Sequence, residues 1–222
     1  MSKSTKEDKK SPPRLNFPDE EEKLPWLSLL LDAYAVVDRG VSVAIEEQKR
    51  KWNKKPACKK GCDNCCRTHT DIPVYPLELV GIYLFVSEKA AGPLRETLRK
   101  QLSEHRAGDS CPFLMNDSCS VHVIRPVACR QFNVFDKTCA VGEDPYYTRR
   151  QDVLTPIRGY TNKAFSIMLP FYGVEDGEDP AQAVNRIIQT QVVNLQSYDW
   201  KKLVKVMDDL DSKKLKTAAP AE

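Results

Sequence analysis

Cys58-Lys59-Lys60-Gly61-Cys62-Asp63-Asn64-Cys65-Cys66 sets four thiols in a single short loop, and Cys111, Cys119, Cys129 and Cys139 follow at wider intervals. A thiolate is a soft anionic ligand that selects zinc or iron–sulfur clusters, and a two-residue gap lets one turn of backbone bring both sulfurs to one ion. All eight, Cys58, Cys62, Cys65, Cys66, Cys111, Cys119, Cys129 and Cys139, are therefore candidate metal ligands. Four ligands per tetrahedral site leave three arrangements open: two zinc ions, one zinc and one cubane, or one cluster with spare thiols. Adjacent side chains diverge, so Cys65 and Cys66 are expected to serve different metals or different corners of one cluster. The spread of the last four cysteines predicts ligands drawn from separate loops rather than a self-contained finger.

The same thiols in a secreted protein would read as disulfides, so the compartment matters. The first ten residues carry charges with no apolar stretch behind them, which predicts no secretory signal. The richest apolar piece, Trp26 to Val37, is interrupted by Ser28, Asp32 and Tyr34, so no membrane span is expected. A cytoplasmic protein follows, in which thiols stay reduced and clustered cysteines hold metal or do redox chemistry.

With 222 residues, 41% hydrophobic, and a net charge of +3, the chain suits one domain with its own core. Residues 1–23 and 212–222 are charged with few apolar anchors and are expected to be disordered tails. Between them, 24–211 reads as a single mainly helical domain enclosing the cysteine segment 58–139. Leu27, Leu30, Tyr34, Val37, Val41 and Ala44 draw one apolar stripe down a helix reaching about Lys51. Helices are also expected from Pro76 to Val86, with proline in the first turn and Glu78 as an N-terminal anion, and from Pro93 to His105 on Leu94, Leu98 and Leu102. Asp179-Pro180 reads as cap and first-turn proline for a stripe of Val184, Ile188, Val192 and Leu195. Asp199 is placed to cap a last helix bearing Leu203, Val206 and Leu210. From Gly108 to about Gly142 neither period is sustained, and metal ligation is expected to substitute for a core there. The expected fold class is mainly α, with helices packed around a loop-rich cysteine-cluster segment held by metal.

A four-thiolate zinc site or an oxidised cubane carries about two negative charges, whose burial needs donors or cations nearby. Arg125 and Arg130 flank Cys129 and are the candidates to compensate a bound cofactor. His122 follows Cys119 with the two-residue gap common at zinc sites, so it is read either as a ligand in place of a cysteine or as a polar neighbour of the site, and His69, just past the vicinal pair, is weighed in the same way. From Lys49 to Lys60 seven of twelve positions are Lys or Arg, with Trp52 among them. A helix C-terminus and a thiolate cluster both attract such cations, so nucleic acid is not expected as a partner. The partners expected are a metal ion or cluster and a protein surface.

Cys58-Lys-Lys-Gly-Cys62-Asp-Asn-Cys65-Cys66, then Cys111-Pro-Phe-Leu, then Cys119-Ser-Val-His122 leading into Arg125-Pro126-Val-Ala-Cys129-Arg130, resemble the CxxCxxCC family over about 58–139. That resemblance implies a zinc- or iron-chelating cysteine-cluster domain. The three-residue... gap between Cys58 and Cys62 departs from the spacing in the family's name. Bacterial flagellin lysine methylases resemble the family through the same pattern, which links it to an iron–sulfur cluster. No G-x-G-x-x-G follows a strand pattern here, and no hydrolytic triad or phosphate loop is visible. Three readings stay open: an iron–sulfur enzyme of redox or group transfer, a structural zinc module, and a metal-handling protein.

Overall fold

The computed structural model describes residues 12–174 and 177–218, and over these the chain is mainly α-helical. The longest helix, α2 (Pro25–Trp52), follows a short α1 (Pro18–Lys23) and buries Leu27, Leu30, Tyr34, Val37 and Ala44 of the stripe read from the sequence, with Leu31 beside them. It ends where Asn53 turns into the left-handed region at φ 55°, a conformation that asparagine tolerates. The later helices are α3 (Asn64–Thr68), α4 (Pro76–Leu84), α5 (Gly92–Glu104), α6 (Val127–Gln131), α7 (Pro145–Thr148), α8 (Arg158–Met168), α9 (Pro180–Thr190) and α10 (Lys201–Ala218). A turn of π-helix, Phe85–Lys89, extends α4.

Two small antiparallel pairs complete the fold. Strand β1 (Pro73–Val74) pairs with β4 (Val193–Asn194), and β2 (Leu114–Met115) pairs with β3 (Ser118–Cys119). Asn116 and Asp117 join β2 to β3 with φ of 46° and 55°, as a two-residue hairpin of this twist requires.

The core lies where α2, α4, α5, α8, α9 and α10 meet. Leu77, Leu98, Phe165, Val184 and Leu203 are buried there, and Trp200 packs edge-on against Phe113 at 4.8 Å. Helix α8 runs along α2, and the reason they approach so closely is Gly40: a Cβ there would lie 2.6 Å from Cβ of Tyr160.

Four expectations need correcting. Residues 1–11 of the anticipated N-terminal tail lie outside the described residues, but residues 12–23 are placed. Arg14 grips both carboxylate oxygens of Glu21 at 3.1 and 2.7 Å, and Leu15 and Phe17 pack on the core. At the other end α10 runs on to Ala218, past the expected boundary at 212. The segment from Gly108 to Gly142 does not lack a core, because Phe113, Val121, Ile124, Val127, Val134 and Phe135 are buried. These residues sit singly at turns and short helical pieces, so they converge in space without a period in sequence. Finally, α9 stops at Thr190 and leaves Val192 exposed, while Ala183, Val184 and Ile187 form its buried face.

Glu78 ties this core to the cysteine segment. Its fully buried carboxylate accepts the N–H of Tyr75 at 3.0 Å, closing the first turn of α4, and the N–H of Val127 at 2.7 Å, the first residue of α6. The Tyr34 hydroxyl donates to it at 3.5 Å. Burial raises the carboxyl from 4.5 to about 7, against the pull of the Val127 and Tyr75 N–H groups. A carboxyl raised in the folded state stabilises the fold while protonated. As pH climbs from 4.5 to about 7 the unfolded chain gives up this proton and the folded chain retains it, which removes roughly 3 kcal/mol.

Two stability measurements follow. Denaturant titrations near pH 5 and pH 8 should show Glu78→Gln gaining on the native protein by roughly 3 kcal/mol across that interval, since the amide does not titrate. An unchanged difference would mean that Glu78 stays ionised throughout. Gly40→Ala should lower stability by about 1–3 kcal/mol through collision with Tyr160, reversing alanine's usual advantage in a helix.

Candidate metal centre

Several local devices deliver the cysteines. Ala57 N–H bonds to the carbonyl of Val134 at 2.8 Å, and Pro56 bridges to Phe135, so an extended ribbon presents Cys58. Gly61, at φ 81°, turns the chain so that Cys62 comes to the surface. The α3 turn carries Cys65 and Cys66. Cys111 is buried and donates its N–H to the carbonyl of Cys66 at 2.7 Å. Cys119 lies on β3, and Cys129 lies in α6, whose first N–H is held by Glu78.

These devices bring Cys58, Cys62, Cys65, Cys66, Cys111, Cys119 and Cys129 to the wall of one cavity of about 980 Å³. Cys139 stands outside it, where Nη2 of Arg149 donates to its sulfur at 3.7 Å. All eight are free thiols. The thiols of Cys65 and Cys66 are hydrogen-bonded to each other rather than turned apart, and Cys66 is bonded in turn to Cys111. Among the described residues, no group of three or more His, Cys, Asp or Glu side chains converges closely enough to hold one ion.

The electrostatics favour protonated thiols. The bond to Cys66, then burial, pushes Cys65 up; the bond to Cys111 raises Cys66 to about 12. Burial raises Cys58, Cys119, Cys129 and Cys139. Mutual repulsion adds to this and reveals which thiols are neighbours. Cys58 feels Cys62 and Cys65, and Cys139 feels Cys58 and Cys62, whereas Cys129 feels Cys65, Cys119 and Cys66.

Opposing groups are already in place. Val134 N–H donates to Cys58 Sγ at 3.3 Å, and the N–H groups of Cys66 and Val121 donate to the sulfurs of Cys65 and Cys119. Arg125 lines the cavity, and its charge favours the thiolates of Cys58, Cys65, Cys119 and Cys129. This donor set, soft sulfur braced by N–H groups and one guanidinium, fits a thiophilic metal.

Arg130 is placed differently from the compensating position expected for it. Its guanidinium pairs with Asp38 at 2.7 Å, donates to the carbonyls of Arg125 and Val123, and stacks on the Tyr34 ring at 3.9 Å from its centroid. It braces the backbone around Arg125 instead of facing the sulfurs. In sequence Arg125 lies four residues before Cys129 and Arg130 one after it, and the fold gives them separate roles.

Both weighed histidines line the cavity. Partial burial of the His122 ring, together with the positive charges of Arg125 and Arg130, lowers its basicity. The more enclosed His69 packs edge-on against Phe132 at 4.3 Å, and burial lowers its basicity against the pull of Asp144. The sequence reading missed the segment 139–149, which crosses the cavity: Asn64 Nδ2 donates to the Glu143 carbonyl at 2.6 Å, and Asp144, Tyr146 and Tyr147 form part of the lining. The Asp144-Pro145 pair, a helix-starting signal, was its one legible mark.

Among the described residues no helix is long and apolar enough to cross a membrane. No curated protein and no solved structure matches the chain. The family resemblance carried by the cysteine submotifs holds over residues 57–151, which match the model of the CxxCxxCC family, described as "Putative zinc- or iron-chelating domain".

Proposed function

We propose that this protein binds a thiophilic metal centre, an iron–sulfur cluster or zinc, in the open cysteine cavity, and that the centre is reached from solvent instead of being sealed into the fold. The observation that carries the reading is the gathering of seven of the eight cysteines on one cavity wall. Exposure of Cys62 on that wall supports an accessible centre. The helical core around Leu30, Ile82, Leu98 and Trp200 is packed from apolar side chains, with Cys111 among them and Cys66, Cys119 and Cys129 against it.

Cys65 links two sides of the sulfur wall, acting on Cys58 on one and on Cys66, Cys119 and Cys129 on the other. When bound, the metal supplies soft Lewis acidity or one-electron chemistry. The chain itself supplies protons to release, the Arg125 charge to offset thiolate, and backbone N–H groups to orient sulfur. An enzymatic role in redox or group transfer rests on cluster chemistry and on the motif shared with flagellin lysine methylases. A cytoplasmic site keeps these thiols reduced.

Anaerobic purification separates the alternatives. A brown protein with iron and acid-labile sulfide identifies a cluster, a colourless one with stoichiometric zinc identifies zinc, and a metal-free protein that takes up neither ends the proposal. Single Cys65→Ser and Cys129→Ser changes should lower metal content while helical circular dichroism persists.

Uptake should also be steeply pH-dependent. Each raised thiol must lose its proton to bind, so affinity should rise with pH, by about tenfold per pH unit for every ligand protonated in the free protein. Competition with a chelator across neutral pH measures the slope, and a flat response would exclude thiols as the ligands. Arg125→Ala should weaken affinity about 10- to 100-fold at fixed pH, the usual effect of losing an outer partner of a metal ligand.

A further inference from the structure

We propose that His69 supplies an imidazole nitrogen to the metal centre, so that coordination in this cavity is mixed nitrogen and sulfur. This rests on the metal-binding reading above and adds to it a ligand outside the cysteine pattern. Among the described residues, three buried side-chain nitrogen or oxygen atoms lack a hydrogen-bond partner: His69 Nε2, Arg99 Nε and Gln196 Oε1. Of these residues, His69 is the one lining the cysteine cavity. A nitrogen removed from water and left unpaired in the fold is costly, and in a native structure such an atom needs a partner.

The nearest group within the chain is Asp144, whose Oδ1 lies 3.5 Å from Nε2 and also accepts the Tyr146 N–H at 2.9 Å; it pairs with the ring only when the imidazole is protonated, and burial disfavours that form. Its negative charge beside Nε2 instead favours a cation at that nitrogen. A neutral imidazole offers a lone pair, and neutral imidazole is the form that binds metal.

The ring is also held for this task. His69 N–H donates to the carbonyl of Cys65 at 3.1 Å, so the α3 turn that presents two cysteines sets the position of the histidine as well. Gln196 Nε2 donates to the His69 carbonyl at 2.7 Å, and Phe132 meets the ring nearly perpendicularly, at 86°. A ligating histidine fixed by its backbone and by a ring contact is the rigid arrangement that metal sites require. The sequence offers no spacing signal for it, because the pairing of His69 with the sulfurs depends on the fold.

The chain has three histidines, His69, His105 and His122, which makes the assignment direct. X-ray absorption at the edge of whichever metal the purified full-length protein carries should show a low-atomic-number first neighbour with imidazole outer-shell scattering. That signal should vanish in His69→Ala and persist in His122→Ala and His105→Ala, with metal content and circular dichroism measured on each. Sulfur-only scattering in the native protein overturns this proposal alone, even if His69→Ala fails to fold, and leaves the nitrogen to solvent. Persistence of imidazole scattering in His69→Ala, or its loss in His122→Ala, likewise overturns it. A native protein that takes up neither zinc nor iron with sulfide overturns this proposal and the metal-binding reading together.

Discussion

Glu78 accepts hydrogen bonds from the first turns of both α4 and α6, and that shared carboxylate fixes where the helical core ends and the cysteine cavity begins. Helix α6 is only five residues long, too short to hold its own orientation, yet it carries Cys129. Its direction is set from outside, by Glu78 at its first N–H and by the Arg130 pairing with Asp38 of α2. Tyr34 lies between Glu78 and Arg130, donating to one and stacked against the other. Polar groups buried this deeply specify one arrangement, because any shift leaves a donor or acceptor unmet. The cavity floor is therefore as firm as the core beneath it.

The cavity wall has the opposite character. Its thiols are held by separate segments of chain, and those of Cys58, Cys65, Cys66, Cys119 and Cys129 are discouraged from ionising by burial and by their neighbours. Arg125 and the N–H groups directed at sulfur partly relieve that pressure, so the site is prepared for anionic sulfur that only a bound cation makes favourable. Rigid floor and electrostatically poised wall are complementary: the first sets positions, and the second sets selectivity for soft, positively charged cargo.

Helix α2 was readable because its apolar residues keep one period over most of its length, and α4, α5 and α9 were readable because proline marks their first turns. Helix α8, the main partner of α2, was not. Its run Arg158-Gly159-Tyr160-Thr161-Asn162-Lys163 is polar with a glycine, and only Ala164, Phe165 and Met168 are buried. Its position depends on Gly40 in α2, a tertiary fit that neither segment announces alone. The cysteine motif marked the ligand types and the family segment, because sulfur chemistry is encoded in residue identity. It did not distinguish Arg125 from Arg130, nor place Cys139 outside the cavity, since both depend on the direction of a turn.

The segment that crosses the cavity is pinned at both ends. Asp136 N–H bonds to the Lys55 carbonyl at 2.7 Å, and Arg149 holds Glu143, Asp152 and the Phe135 carbonyl. Between these anchors Val141 is fully exposed and Gly142 turns at φ 76°. Closing a loop costs free energy that grows only with the logarithm of its length, about 0.6 kcal/mol for each doubling. The tip at Val141 is therefore a position where the chain tolerates extra residues, so that this bridge can be lengthened, or made to carry a reporter group, while the sulfurs below keep their places.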